Sequence, residues 1–192
     1  MSTRRSELTR EAARLFAEKG YHGTSIGDLA DALGVQKASL YHHIDSKADL
    51  LWDVACDGAA AFHGALDGLP DSLRPTEKIH AALRAHLRVV AQQLDIATVF
   101  VREWRYLQGE RRDEFVAERR RYEDRIRGLF RDGVEQSELR TDLDVNVAAL
   151  LFLSAANWAS TWIQRARDTD ALADRFFELL IDGMRGYATP QG

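Results

Sequence analysis

The chain of 192 residues has little of what marks an exported or membrane protein. Its single cysteine, Cys56, excludes an internal disulfide and suits a reducing compartment. No uncharged apolar run reaches about 18 residues, and the opening stretch MSTRRSELTR lacks the apolar region of a signal peptide. We therefore expect a cytoplasmic protein that does not span a membrane, with Cys56 as a small core residue.

Motifs of phosphate-binding and metal chemistry are also absent. The sequence holds no glycine-rich phosphate loop and no Cys/His metal site. A helical di-iron enzyme needs two E-x-x-H motifs, whereas this chain has only Glu77 to His80. His63 and His86 have no partners at ligand spacing. We expect no metal, no cofactor and no catalysis, and a helical-bundle metalloenzyme is the disfavoured alternative.

Strand patterns are lacking, because no sustained period-two alternation occurs and only three prolines interrupt the chain. The apolar spacing instead predicts an all-α fold of nine helices. Three helices form an N-terminal head and six form a larger body. The penultimate helix is expected at about 144–165 and the last at about 170–187.

Residues 24–47 predict a helix-turn-helix followed by the start of a further helix. Ser25, with Asp28 three positions on, is a capping-box-like start. Gly34 stands where a helix end needs a left-handed residue, and Val35 is expected to be the buried plug of the turn. The second helix has an outer face of small and hydrogen-bonding residues without a carboxylate, which suits insertion into a DNA major groove.

The net charge of the chain does not by itself indicate nucleic-acid binding. The chain carries a formal charge of −4, and residues 1–50 hold equal numbers of basic and acidic side chains. Arg4, Arg5, Lys37 and Lys47 nevertheless fall at helix ends or on the proposed recognition helix, where phosphates would be met. The acidic balance is typical of a protein that binds specific sites and does not coat DNA.

The stretch from residue 12 to residue 51 resembles the DNA-binding domain of the TetR family of bacterial transcriptional regulators. The matching residues are Ala13, Phe16, Gly20, Tyr21, Thr24, Ile26, the G-V-x-K-x-x-L-Y-H run at 34–42, Ile44 and Ser46-Lys47. His43 and Ile44 depart from the residue types common there. The resemblance implies a DNA-binding domain at 1–46 and a ligand-binding and dimerisation domain at 47–192.

The same resemblance implies which residues meet DNA. Phosphate contacts are expected from Thr24, Tyr41, His42 and Lys47. Gln36, Lys37 and Ser39 are expected to reach base edges. Ser25 and Ala38 complete the predicted DNA-binding set. Partial core packing of Tyr41 is the alternative, and it can coexist with a phosphate contact by its hydroxyl.

A homodimer is expected through the last two helices. The penultimate helix is apolar almost all round, and the last is amphipathic. Together they present more apolar surface than the rest of a body of this size can cover. Two protomers would pair these helices as a four-helix bundle. Such a dimer would place two recognition helices about 34 Å apart on a palindromic operator. A monomer with an internal eighth helix is the alternative.

Ten arginines and no lysine lie between residues 102 and 131, interspersed with aromatic residues. Arginine is favoured over lysine where phosphates are held or where a guanidinium stacks on a ring. A solvated helix face with ion pairs explains part of this pattern. In the penultimate helix, Asn157, Trp158 and Trp162 stand in an apolar setting, with core packing of Trp158 and dimer-interface packing of Trp162 as the simpler interpretation.

The arginine-rich stretch 102–131 and residues 157–162 resemble the corresponding segments of the TetR-family repressors of fatty-acid and steroid degradation, which sense acyl-coenzyme A thioesters. The resemblance implies an effector of that class, with an apolar tunnel for the acyl part and cations for the phosphates. Leu151 is a further candidate for the tunnel wall. The predicted ligand-binding residues are Arg102, Trp104, Arg105, Tyr106, Arg119, Arg120, Tyr122, Phe152, Asn157, Trp158 and Trp162.

The sequence leaves two other functions open. A sensor of hydrophobic drugs that controls efflux would need an aromatic pocket with carboxylates, and it would leave the arginines on the surface. A body that recognises another protein would show exposed apolar patches. The sequence does not distinguish whether the effector releases or promotes DNA binding.

Overall fold

The computed structural model describes residues 3–165 and 168–184, and these form nine α-helices without a strand. The all-α, nine-helix prediction is confirmed. The helices are α1 (Thr3–Lys19), α2 (Ile26–Ala32), α3 (Lys37–Leu40), α4 (Lys47–Asp67), α5 (Pro75–Gln92), α6 (Leu94–Arg102), α7 (Gly109–Glu135), α8 (Val145–Trp158) and α9 (Thr169–Asp182). Short 3₁₀ turns cover Glu103–Tyr106, Ala159–Thr161 and Ile163–Arg165.

The helix-turn-helix forms for the reasons that the sequence indicates. Ser25 caps α2, because its side chain accepts from the Asp28 N–H while the Asp28 carboxylate accepts from the Ser25 N–H. Gly34 has a φ of +63°, the left-handed conformation that ends a helix cheaply only with glycine. The prediction for Val35 is wrong in degree, since this residue is only half-buried.

The penultimate helix is shorter than predicted. It ends at Trp158, well before residue 165. Just beyond it, the Ser160 hydroxyl donates to the Asn157 carbonyl and the Thr161 hydroxyl donates to the Trp158 carbonyl. Side chains that take up backbone carbonyls compete with helical hydrogen bonding, so the chain continues as 3₁₀ turns. Of the predicted last helix, residues 185–187 lie outside the described residues.

Two compact units are present, and the long helices α4 and α7 each contribute to both. The first unit comprises residues up to 61 together with 93–119. Its core is built where α1 packs on α6. The functional division at residue 46 predicted from the sequence is drawn on different grounds and stays a prediction.

The second unit comprises residues 62–92 and those from 120 onward. Here α5 packs along α9, and charged pairs fix the register of the two helices. Arg84 binds both carboxylate oxygens of Asp174, at 2.6 and 2.7 Å, and the His80 ring stacks on Phe177 at 4.3 Å. Bidentate guanidinium–carboxylate pairs add geometric specificity to apolar packing.

Candidate DNA-binding surface and effector-binding residues

The predicted recognition helix α3 is anchored by one residue and presents the rest to solvent. Leu40 is buried in the core of the first unit. Tyr41 is 51% exposed, so it is not a core residue. The exposed neighbours are Gln36, Lys37, Ala38, Ser39 and His42. These groups offer the donors and acceptors that a major-groove surface requires.

Thr24 is corrected by the structure. The residue is 1% exposed, and its hydroxyl donates to the carbonyl oxygens of Leu15 at 3.1 Å and Gly20 at 3.0 Å. A buried side chain engaged in this way does not reach a phosphate. Thr24 instead ties the end of α1 to the start of the helix-turn-helix. Its neighbour Ser25 is exposed, and the hydroxyl serves as the α2 cap.

Lys47 performs an internal task at the start of α4. Its ammonium group donates to the carbonyl oxygens of Tyr21 and Thr24, both at 2.8 Å, and lies 4.2 Å from the centre of the Tyr21 ring. Burial lowers the pKa of Lys47. The ammonium therefore positions the segment before α2, and the predicted phosphate contact of Lys47 stays a prediction.

The 3₁₀ turn Glu103–Tyr106 packs within the first unit against the segment that precedes α2. The Glu103 carboxylate accepts a hydrogen bond from the Tyr21 N–H at 2.7 Å. The Tyr106 ring stacks on Tyr21, with centroids 5.6 Å apart, and meets His22 edge-on at 4.4 Å. The sequence predicts ligand binding for this turn and gives no sign of its contact with the helix-turn-helix.

Arg119 stacks on aromatic rings, as the arginine-rich pattern suggests. Its guanidinium carbon lies 4.9 Å from the Trp104 ring and 5.8 Å from the Phe100 ring. Arg102 and Arg105 are exposed, and the Arg105 Nε donates to the Arg102 carbonyl. The first unit thus brings together five predicted ligand-binding residues, namely Arg102, Trp104, Arg105, Tyr106 and Arg119.

The other six predicted ligand-binding residues belong to the second unit. Arg120 is exposed, whereas Phe152 and Tyr122 are buried in the core. The Tyr122 hydroxyl lies 2.9 Å from Nδ1 of His86, a fully enclosed histidine for which the sequence raised only a metal-ligand role. A signal for its burial was available, since His86 occupies a core position within the apolar stripe of α5.

The remaining three lie at or beyond the end of α8. Trp158 is 66% exposed, so its interpretation as a core residue is wrong. Trp162 follows the end of the helix, so it does not share a helical face with Trp158, and its ring stacks on Phe176 at 5.5 Å. Asn157 is half-exposed. Neither of the two grooves described in the second unit is lined by these three residues or by Phe152.

An apolar surface extends along the outer faces of α8 and α9. Val147, Leu150, Leu151 and Trp158 are exposed on α8, and Leu179 is exposed on α9. A groove of about 320 Å³ between the two helices is lined in part by these side chains. Contiguous apolar surfaces of this kind mark interaction sites in soluble proteins. Leu151 therefore lies on this surface and not beside Phe152 in the core.

The single E-x-x-H motif makes ordinary pairs. Glu77 pairs with Arg74, and His80 pairs with Asp174 of α9. Within residues 3–165 and 168–184, no group of three or more candidate ligands could hold a metal ion. In the same part of the chain, every helix is too short or too polar to cross a membrane.

Comparison with known proteins agrees with this architecture. Residues 8–54 match the family described as bacterial regulatory proteins, tetR family, and residues 72–184 match the tetracyclin repressor-like C-terminal domain. The HTH-type transcriptional repressor KstR2 of Rhodococcus jostii is 26% identical over 95% of this chain and 92% of its own length. The fatty acid metabolism regulator protein of Bacillus subtilis is 24% identical over 90% and 91%.

Solved structures give the same result. AibR, crystallised with isovaleryl coenzyme A and operator DNA, is 30% identical, with a TM-score of 0.84 over 92% of this chain and 97% of its own. PfmR from Thermus thermophilus, a TetR family transcriptional regulator, is 33% identical, with a TM-score of 0.79 over 91% of this chain and 97% of its own. Members of this family are DNA-binding regulators and not enzymes. The chain, which carries both domains that define the group, belongs to the TetR family of bacterial regulatory proteins.

Proposed function

We propose that this protein is a homodimeric transcriptional repressor that binds a palindromic operator and releases it when an acyl-coenzyme A thioester binds the C-terminal domain. The N-terminal domain, residues 1–46, reads DNA through α3, and residues 47–192 bind the effector and the second protomer. The protein acts in the cytoplasm, where its operator lies.

The clustering of arginine and aromatic side chains around Trp104 carries the choice of effector. Arg119 stacks on Trp104, and the exposed Arg102 and Arg105 lie on either side of Trp104 in the sequence. A coenzyme A thioester offers a diphosphate, a 3′-phosphate and an adenine ring, which are the groups that guanidinium and aromatic side chains bind. The solved complex of AibR with isovaleryl coenzyme A supports the same effector class.

The second protomer covers the outer faces of α8 and α9. Leu150 is 65% exposed in the single chain, and Leu179 is still more exposed. Burial of such side chains stabilises an interface by about 25 cal/mol per Å² of apolar surface. A twofold axis beside α8 makes the same surface serve both protomers. This dimer provides the two recognition helices that a palindromic operator requires.

The helix α4 transmits the signal. At its first residue, Lys47 holds the carbonyl oxygens of Tyr21 and Thr24 in the helix-turn-helix. About four turns further along, the same helix places Phe62 and His63 beside Tyr122 in the second unit. An effector that binds more tightly to one position of α4 shifts the spacing of the two recognition helices.

Binding of a long-chain acyl-coenzyme A, free coenzyme A and the free acid, followed by tryptophan fluorescence, tests the proposal. We expect saturable micromolar or tighter binding of the thioester that weakens in Arg102→Ala and Arg119→Ala. Arg112→Ala, an exposed cation of α7, is the matched control. The thioester should also release an operator duplex selected by the protein from random DNA. If only hydrophobic cations bind, the protein is a drug-efflux regulator.

A further inference from the structure

His86 presents an unusual polar atom in the core of the second unit. The residue is 1% exposed, and its Nδ1 lies 2.9 Å from the Tyr122 hydroxyl. The other ring nitrogen, Nε2, is buried and has no hydrogen-bond partner in the described part of the chain. Buried polar atoms are nearly always paired in folded proteins, because an unmade hydrogen bond in an apolar interior is costly.

The Tyr122 contact determines which form of the imidazole is present. Burial raises the pKa of Tyr122 and lowers the pKa of His86 to about 3, so the phenol keeps its proton and the ring is neutral at neutral pH. If Tyr122 donates to Nδ1, the ring proton is on Nε2 and one polar group is unpaired. The opposite tautomer would leave two unpaired groups, namely the phenol proton and the Nε2 lone pair. Nε2 is therefore a donor that lacks an acceptor.

The surroundings of Nε2 favour a neutral acceptor. The Phe62 ring lies 4.6 Å from the His86 ring, and Phe152 meets it edge-on at 6.5 Å. Beyond Tyr122 lie the His63 ring, at 5.5 Å, and then Arg125, whose Nη1 is 3.3 Å from the His63 Nδ1. An N–H donor does not pair with an ammonium group, and an apolar site disfavours a carboxylate. A carbonyl oxygen meets both conditions.

A groove opens one helical turn away from this pair. It measures about 250 Å³, its walls include Leu66 of α4 and Leu129 of α7, and Lys78 and Arg125 lie beside it. Leu66 follows Phe62 by four positions, and Arg125 follows Tyr122 by three, so the groove and the buried pair lie on adjacent turns of both helices. The groove therefore lies close to the buried pair within the second unit, and its walls carry both signs of charge, since Asp71 and Asp132 also line it.

We propose that Nε2–H of His86 donates a hydrogen bond to the carbonyl oxygen of the effector thioester, with Tyr122 holding the imidazole in the donating tautomer. This inference rests on the proposed function and specifies the effector further. The recognised group is a neutral thioester carbonyl in the apolar core. The acyl chain displaces the Phe62 and Phe152 rings, which flank the His86 ring.

The test compares a long-chain acyl-coenzyme A with the matching S-alkyl thioether, which lacks only the carbonyl oxygen. Wild-type protein should bind the thioester about five- to tenfold more tightly, the ratio that one neutral hydrogen bond supplies. In His86→Leu the ratio should fall to about one. His43→Leu, the same substitution at an exposed histidine, should keep the wild-type ratio.

Tyr122→Phe tests the positioning role separately. Loss of the phenol removes the donor to Nδ1, so the ¹⁵N NMR signals of the His86 ring should change from a single tautomer to a mixture. The thioester preference should shrink while the protein stays folded.

Two results would overturn the inference. If thioester binds but His86→Leu retains the preference over the thioether, or if wild type shows no preference, Nε2 does not contact the carbonyl, and the proposed function stands. If wild type binds no acyl-coenzyme A at all, the inference and the proposed effector class both fail.

Discussion

The carboxylate of Glu103 accepts a hydrogen bond at 2.7 Å from the backbone N–H of Tyr21, a residue 82 positions earlier in the chain. The turn that carries Glu103 also carries Trp104, on which Arg119 stacks. The segment before α2 is therefore held by the same turn that we assign to effector binding. A shift of this turn by even a fraction of an ångström would therefore change the hydrogen bond to Tyr21.

Glu103→Ala should lower the free energy of unfolding by about 1–2 kcal/mol, because the Tyr21 N–H loses its charged acceptor in a partly buried position. Urea denaturation followed by circular dichroism measures the change. Glu110→Ala, an exposed carboxylate in the first turn of α7, is the control and should alter stability by less than about 0.5 kcal/mol. Equal effects of the two substitutions would contradict a structural role for the Glu103 contact.

Thr24→Val should destabilise the fold by about 1–2 kcal/mol, because the carbonyl oxygens of Leu15 and Gly20 lose a donor in the core. Ser39→Ala, at an exposed position of α3, should leave the free energy of unfolding nearly unchanged. Thermal or urea unfolding of both variants decides the matter. A Thr24→Val protein that is fully stable but weakened in DNA binding would restore the phosphate role that the structure removes.

Lys37→Ala should weaken operator binding by about 1–3 kcal/mol without changing stability, because its side chain is exposed on the recognition helix. Fluorescence anisotropy with a labelled operator duplex, repeated at several salt concentrations, gives both the affinity and the salt slope. A uniform loss on all DNA sequences together with a slope reduced by about one would assign Lys37 to a phosphate. A loss confined to the operator would assign it to a base edge.

Acidification should destabilise the protein through His86. The pKa of this ring is lowered to about 3 by burial, whereas an unfolded histidine has a pKa of about 6.5. Below about pH 6.5 His86 is protonated in the unfolded state but stays neutral in the folded state. The free energy of unfolding therefore decreases as the pH falls toward the folded pKa. The loss between pH 7 and pH 5 should be about 2 kcal/mol from this residue.

His86→Leu isolates that contribution, since the paired carboxylates also lower stability at acid pH. The pKa values of Asp170 and Asp174 are lowered by their arginine partners, so their stabilisation is lost at a pH below about 4. Unfolding curves of wild type and His86→Leu at pH 7 and pH 5 should diverge by the expected amount. Identical pH profiles would show that His86 is not buried in the neutral form.

Leu150→Glu should convert the dimer to a monomer, because a carboxylate would be buried without a partner at the centre of the α8 surface. Analytical ultracentrifugation measures the association state. Ala117→Glu introduces the same side chain at an exposed position of α7 and should leave the dimer intact. A dimeric Leu150→Glu protein would place the interface elsewhere.

Local patterns predicted the fold well, because the signals act over a few residues. The Ser25–Asp28 cap, the left-handed Gly34 and the apolar spacing of each helix depend on neighbours within one or two turns. The end of α8 was missed because Ser160 and Thr161 can either continue a helix or bind its carbonyls. Propensity is weak at such positions, so packing and local hydrogen bonds decide.

The sites were less predictable, because their chemistry depends on contacts between distant residues. A hydroxyl at Thr24 and an ammonium at Lys47 are both suited to phosphates, and only the structure reveals carbonyl oxygens of Leu15 and Tyr21 within reach. Similarly, no residue near His86 in the sequence predicts its contact with Tyr122, which lies 36 positions later. Residue types set what each group can do, and tertiary contacts set what it does.

The apolar surface of α8 also links folding to gene dosage. If the folded chain is stable only when a second copy covers Leu150 and Leu179, its unfolding is a bimolecular equilibrium, and its melting temperature rises with concentration. When the synthesis of such a protein slows, the number of folded molecules falls by a larger factor than the rate of synthesis does. The amount of repressor would then respond steeply to its own rate of expression, even before any effector binds.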